Sequence, residues 1–151
     1  MRTCFMFGHA NCPERILPRI EEAIEQLHTR NGVQAFYVGN RGNFDRLATI
    51  AAKTVKRRHP ELVLRLVLAY HPGERPVVLT EDFDSSFYPP LEKVPRQYAI
   101  VRANQYMVDK ADVLLCYVAH FGNTRNLLEY AQKKPLLKMC INVADKPGVL
   151  K

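Results

Sequence analysis

Five short segments are apolar on nearly every residue rather than on alternate ones: Thr3–Phe7, Ala35–Val38, Leu62–Tyr70, Val113–Val118 and Leu137–Val143. A strand buried on both faces reads this way, as in a parallel sheet covered by helices. The stretches between them carry helical spacing. Pro13 suits a first helical turn, and Ile16, Ile20, Ala23, Ile24 and Leu27 then recur every three or four residues until Asn31-Gly32. Phe44, Leu47, Ala48, Ala51, Ala52 and Val55 repeat the pattern from Asn43 to His59, before Pro60. Tyr98, Val101, Ala103, Tyr106 and Met107 mark a helix over Arg96–Lys110. Leu127, Leu128 and Ala131 mark another over Thr124–Lys134, with Pro135 as its stop.

The resulting order is βαβαβ, a loop, then αβαβ. Crossovers between parallel strands are right-handed in nearly all cases, so the expected fold is α/β, a three-layer α/β/α open sheet of Rossmann type with about five strands. The segment from His71 to Pro95 interrupts the alternation with five prolines (72, 76, 89, 90 and 95) and an acidic run, Glu81, Asp82 and Asp84. It reads either as a lid or binding loop, or as a short edge strand at Pro76–Leu79 with a surface excursion. No repeat or linker divides the 151 residues, so residues 1–151 are read as a single domain.

Hydrophobic residues make up 47% and charged residues 25%, the balance of a globular chain. No apolar run approaches the twenty or so residues of a membrane span, and the N-terminus turns polar at Gly8-His9 before a signal-peptide core develops. Four scattered cysteines make no disulfide framework, which points to a reducing, cytoplasmic setting and no membrane partner. Cys4, Cys116 and Cys140 fall in predicted strands and read as small core residues. Cys12 precedes Pro13 at a helix start, where a thiol pKa can be depressed, with His9 as the nearest base.

Ligands of open parallel sheets bind beyond the carboxyl ends of the strands. Here those ends read Gly8-His9-Ala10-Asn11-Cys12, Gly39-Asn40-Arg41-Gly42-Asn43-Phe44-Asp45, His71-Pro72-Gly73-Glu74-Arg75 and His120-Phe121-Gly122-Asn123-Thr124-Arg125. Gly39 and Gly42 permit tight turns, and the helices starting near Asn43 and Thr124 would offer free N–H groups and a positive dipole end to phosphate. Each turn alone is an ordinary capped strand-to-helix junction; both on one rim favour binding. Neither turn is a dinucleotide or P-loop fingerprint.

Asp45 reads as a helix cap or as a ribose contact, Arg41 as a source of charge, and His9 and His71 as pocket lining facing each other across the rim. Glu129 reads as a solvated helix residue that reaches the cleft only from the helix's inward side. No spacing resembles a zinc motif, so neither a metal nor a cofactor is expected.

The net charge of +7 comes from 22 Lys+Arg against 15 Asp+Glu. Lys53, Lys56, Arg57, Arg58 and Arg65 form one group and Lys133, Lys134 and Lys138 another. Without interleaved aromatics this charge reads as solvated helix faces, which ranks nucleic acid, single-stranded DNA included, behind a small molecule as partner.

Several of these stretches together resemble the SLOG superfamily, which includes DNA-processing protein A, the Lonely Guy enzymes and the YpsA-like proteins. Phe7-Gly8-His9 resembles the opening F-x-G-H loop of the YpsA-like branch, and Val38 to Asp45 with Ala48 resembles its second-strand glycine motif. Arg102 to Asp109 with Ala111-Asp112 resembles its helix before the fourth strand, and Gly122-Asn123-Thr124 its G-x-T turn.

The resemblance implies a pocket for a nucleotide or nucleotide derivative, used for sensing or for cleaving an N-glycosidic bond. In the cleaving case Asp45 and Glu129 would be the catalytic carboxylates. The Lonely Guy motif P-G-G-x-G-T-x-x-E is met here by His120 to Leu127, without the doubled glycine, with Leu127 at the Glu position and with Glu129 two residues late. Binding is therefore expected ahead of hydrolysis. Small domains of this kind often pair through helices, so a homodimer is compatible with the reading.

Overall fold

The computed structural model describes residues 1–75, 77, 79–80, 83–133 and 138–144. Its six strands are β1 (Arg2–Gly8), β2 (Val33–Val38), β3 (Val63–Val67), β4 (Ser85–Phe87), β5 (Val113–Tyr117) and β6 (Met139–Asn142). Its α-helices are α1 (Leu17–Asn31), α2 (Asn43–Arg58), α3 (Ala99–Lys110) and α4 (Asn123–Gln132). The strands form one sheet in the order β4-β3-β2-β1-β5-β6, and every pairing is parallel. The expected α/β Rossmann-like fold is present, with one strand more than the apolar runs indicated.

Side chains of β1 alternate between two cores, as the pleat requires. Cys4 and Met6 join Ile20, Ile24, Leu27, Phe44 and Ala48 from α1 and α2, whereas Phe5 and Phe7 join Met107, Val108 and Leu127 from α3 and α4. Both faces of β1 and β5 are thus covered, which explains their unbroken apolar sequences. Gly32 closes α1 with a left-handed φ of 69°. Asp45 opens α2 and Lys56, Arg57 and Arg58 end it, matching the helix dipole.

Four readings from the sequence need correction. The additional edge strand lies at Ser85–Phe87, whereas Pro76 and Val78 of the segment Pro76–Leu79 are outside the described residues. Asp84 builds that strand: its N–H donates to Leu64 O and its Oδ2 accepts from Leu64 N, both at 2.8 Å, which lays Ser85 beside Arg65. The last apolar run begins at Leu137, also outside the described residues, and supplies an edge strand with one uncovered side. Cys140 is therefore exposed instead of buried in the core. Finally, Tyr98 and Val101 are half exposed, because α3 turns Ala99, Ala103, Met107 and Val108 inward. Among the described residues no helix is long and apolar enough to cross a membrane.

The seat of α2 depends on two close approaches. Asn43 N–H donates to Ala10 O at 2.8 Å and Phe44 N–H to His9 O at 3.3 Å, pinning the helix start to the loop after β1. Gly42 makes this passage at φ 96° and ψ −177°, and a Cβ there would lie 2.6 Å from Ala10 Cα. That conformation is almost confined to glycine, and the obstacle is backbone. Gly42→Ala is expected to lower stability by about 2 kcal/mol or more in urea unfolding, a loss well beyond that of an ordinary surface substitution.

Candidate functional site

The order of the sheet places its switch point between β1 and β5: successive strands run from β1 toward β4 on one side, and β5 and β6 lie on the other. Such a crevice is where open α/β sheets bind ligands. A cleft of about 220 Å³ lies there. Phe7 and Gly8 from β1 and Asp45 from α2 line it, with Ile100, Val101, Asn104 and Gln105 from α3 and Asn123, Thr124, Asn126 and Leu127 from α4. The lining combines apolar side chains with carboxamides and a hydroxyl, which suits a flat or sugar-like polar group.

Asp45 is buried in this cleft, where it accepts a hydrogen bond from Arg41 N–H at 2.9 Å through Oδ2. Burial pushes its carboxyl up to about 7, against the opposing pull of that N–H and of the Arg41 charge. Gly39 passes behind it so closely that a Cβ would lie 3.0 Å from Oδ2. A carboxyl that can hold or release a proton near neutrality, set in a crevice, is a mark of a functional position.

The other expected residues separate into distinct roles. His9 is buried and its Nε2 accepts from Ala119 N–H at 2.9 Å and His120 N–H at 3.2 Å, so its proton sits on Nδ1. Its ring stacks on His120 with centroids 3.6 Å apart. Burial and His120 both lower its pKa. His9 is thus a fastener between loops, and it faces His120 instead of His71. His71 is exposed, accepts from Gly73 N–H through Nδ1 at 2.9 Å, and lies against Tyr88.

The turn at Gly39–Asn43 is not an open phosphate cradle. The N–H groups of Asn43 and Phe44 are given to Ala10 and His9, that of Arg41 to Asp45, and the Asn43 amide to Cys12 O. Asn40 is exposed. The turn at Gly122, Asn123 and Thr124 is more open: nothing lies within 4 Å of a Cβ placed at Gly122, and its two followers border the cleft. Glu129 is exposed and faces Arg125 at 3.7 Å, so it does not share the cleft with Asp45. Cys12 is buried, and burial with the nearby Glu14 pushes its thiol up to about 11, the reverse of an activated nucleophile.

A second cavity of about 430 Å³ adjoins the first along the start of α3, lined by Ala69, Tyr70, His71, Glu74, Tyr88, Leu91, Glu92, Val94, Arg96 and Ala99. The long loop after β3 packs on α3 here through Leu91, with Tyr88 and Val94 alongside. Three guanidinium carbons surround the ring of Tyr70: Arg75 at 4.1 Å, Arg41 at 5.3 Å and Arg96 at 5.5 Å. Arg96 faces Glu74 at 3.7 Å, whereas among the described residues neither Arg41 nor Arg75 makes an ion pair within 4 Å. Cations gathered on one aromatic ring form a positive rim beside the cleft.

Of this cluster the sequence placed Arg41 and Arg75 at strand ends, but Arg96 read only as the start of a helix, and nothing in the sequence brings the three together on Tyr70. Sequence reasoning also left Asn104, Gln105 and Asn126 out of the site. Helical amides resemble ordinary solvated positions, and only the approach of α3 to α4 gives them a shared cleft. The expected basic groups are largely engaged: Arg58 pairs with Glu21 and Glu25, Lys56 with Asp84, and Lys138 binds the carbonyls of Asp109 and Ala111. Lys134 lies outside the described residues.

Asp45 and His9 carry opposite pH signatures. The unfolded chain ionises Asp45 near pH 4, whereas the folded chain keeps that proton until about 7, so its contribution makes stability fall across this window and then level off. Asp45→Asn is expected to cancel that fall, raising stability at pH 8 by up to roughly 4 kcal/mol while changing it little near pH 4, as read by urea unfolding. For His9 the unfolded chain protonates below about 6.5 while the fold resists, so acid removes its contribution. An NMR titration is expected to show the proton on Nδ1 at neutral pH and a midpoint below about 6.5.

The sequence matches no protein-family profile and no curated protein. Among solved structures it is similar to the molybdenum cofactor carrier protein MCP from Chlamydomonas reinhardtii, with a TM-score of 0.57 and 18% identity over 87% of this chain and 71% of that one. This likeness shows a shared α/β fold of Rossmann-like organisation.

Proposed function

We propose that this chain is a cytoplasmic, single-domain binding protein of SLOG type for a nucleotide or nucleotide derivative. The observation that carries the reading is the juxtaposition, on one rim, of an amide-lined crevice and the three arginines around Tyr70. The carboxamides of Asn104, Gln105 and Asn123 suit the polar edge of a base, and Asp45 suits a sugar hydroxyl. Phosphate then has two positive receivers, the first turn of α4 at Gly122–Thr124 and the guanidiniums of Arg41 and Arg75. The motifs shared with the SLOG superfamily support the ligand class. The solved neighbour, a carrier of the molybdenum cofactor, supports carriage or sensing as the mode of use.

Equilibrium binding of a panel of nucleosides, nucleoside monophosphates and diphosphates tests this reading. Phosphate-bearing members are expected to bind more tightly than the bare nucleosides, with affinity falling as salt rises. Arg75→Ala and Thr124→Ala are each expected to weaken binding by about tenfold, which is about 1.4 kcal/mol. Absence of affinity for every phosphate-bearing member overturns the reading. The raised carboxyl of Asp45 in a crevice favours a second reading, cleavage of the N-glycosidic bond of a nucleoside monophosphate, with Asp45 holding or moving a proton. Release of free base that is lost in Asp45→Asn would establish it.

A further inference from the structure

At the amino-terminal edge of the sheet, away from the crevice, the end of α1 meets the corner between α2 and β3. His28 comes from α1, and His59 and Glu61 come from that corner. One donor atom from each lies within 4.8 Å of the others. We propose that these three side chains form a binding site for a divalent transition-metal ion of the zinc class.

The tautomers are already arranged for coordination. His28 Nδ1 lies 2.7 Å from Val33 O and must donate to it, which leaves the lone pair of Nε2 directed at Glu61 Oε1 across 3.5 Å. His59 Nε2 lies 2.5 Å from Glu25 Oε2, which leaves the Nδ1 lone pair 3.7 Å from the same oxygen of Glu61. With both rings neutral, two imidazole lone pairs and an anionic oxygen face one point, a set of donors that a metal ion would satisfy together.

Zinc bonds of 2.0–2.2 Å to nitrogen and oxygen make a tetrahedral edge of about 3.4 Å, so the two edges to Glu61, 3.5 and 3.7 Å, are wide by a few tenths of an ångström, and the edge between the imidazoles is within 4.8 Å. Glu61 is exposed on its side chain and free to close that gap. Behind the donors stand a backbone carbonyl on His28 and a carboxylate on His59, the partners that metal-bound histidines characteristically have. Arg58, at 2.9 Å from Glu25, holds that carboxylate in place. Two imidazoles and one carboxylate suit zinc, cobalt or nickel and disfavour magnesium and calcium. The fourth position opens to solvent. Bound metal would clip α1 to the α2–β3 corner.

The test uses the full chain after treatment with a chelator. Titration calorimetry with zinc chloride is expected to show one ion per chain and a higher melting temperature, while magnesium and calcium produce neither. Cobalt is expected to give visible ligand-field bands without a thiolate charge-transfer band, which separates this site from binding at a cysteine. Glu61→Gln and His59→Gln are each expected to weaken zinc at least tenfold. Glu25→Gln, whose side chain would not touch the ion, is expected to weaken it by roughly tenfold to a hundredfold. Glu61→Gln alters an exposed side chain, and the metal-free melting temperature of each variant, read alongside, keeps loss of binding distinct from loss of fold. Absence of zinc binding at millimolar concentration overturns the proposal, as does binding that all three substitutions leave unchanged; protonated histidines would then account for the cluster.

Discussion

A single uncharged imidazole joins the parts of this molecule that must stay in register. His9 receives two amide protons from the loop after β5 through Nε2, gives its own N–H to Tyr117 O at 3.2 Å, and lends its carbonyl to Phe44 at the start of α2. The ends of β1 and β5 and the start of α2 are thereby fixed around one buried residue. The spacing between β1 and α4 that opens the crevice depends on this junction. So does its chemistry, because a protonated ring could not accept from Ala119 and His120. Asp45 sits in the same neighbourhood under the opposite rule, with its neutral form favoured by burial. The rim thus contains one base and one acid whose uncharged forms the fold prefers, so the positive potential nearby comes chiefly from the arginines around Tyr70.

Much of the architecture was legible because burial on both faces leaves a direct imprint on sequence. The runs in β1, β2 and β5 are apolar without alternation, and the helices facing them repeat every three or four residues. The edges were harder to read. β4 is Ser85-Ser86-Phe87, short, half covered and soon followed by Pro89-Pro90, and its pairing is set by the Asp84 carboxylate instead of by apolar content. The last strand borders the sheet, so an apolar run there did not mean burial of Cys140. At α3 Ala103 and Met107 read correctly as inward, but Tyr98 and Val101 did not, because these half-exposed residues are as apolar as the buried ones beside them.

The candidate site was legible in its location and less so in its detail. Gly8, Asp45, Asn123 and Thr124 do gather at one crevice. His9, Gly39 and Gly42 serve the build of that crevice instead, because space beside them is already taken by protein. The glycines' tolerance of close approach is spent on Ala10 and on the Asp45 carboxylate. His28 and His59 are separated by 31 positions, outside any short spacing, and only the packing of α1 on α2 brings their rings to 5.2 Å. A pattern search sees local spacing; a site assembled by helix packing leaves no such trace.

The position of β1 also shapes how the polypeptide emerges during synthesis. Its neighbour β2 follows at once, but its other neighbour is β5, and Cys4 pairs with Val113 across more than a hundred intervening residues. At translation rates of 5–20 residues per second, the far border of β1 stays bare for roughly five to twenty seconds. A half-built sheet whose open central strand is apolar from Cys4 to Phe7 is the state in which the nascent chain is most in need of shielding.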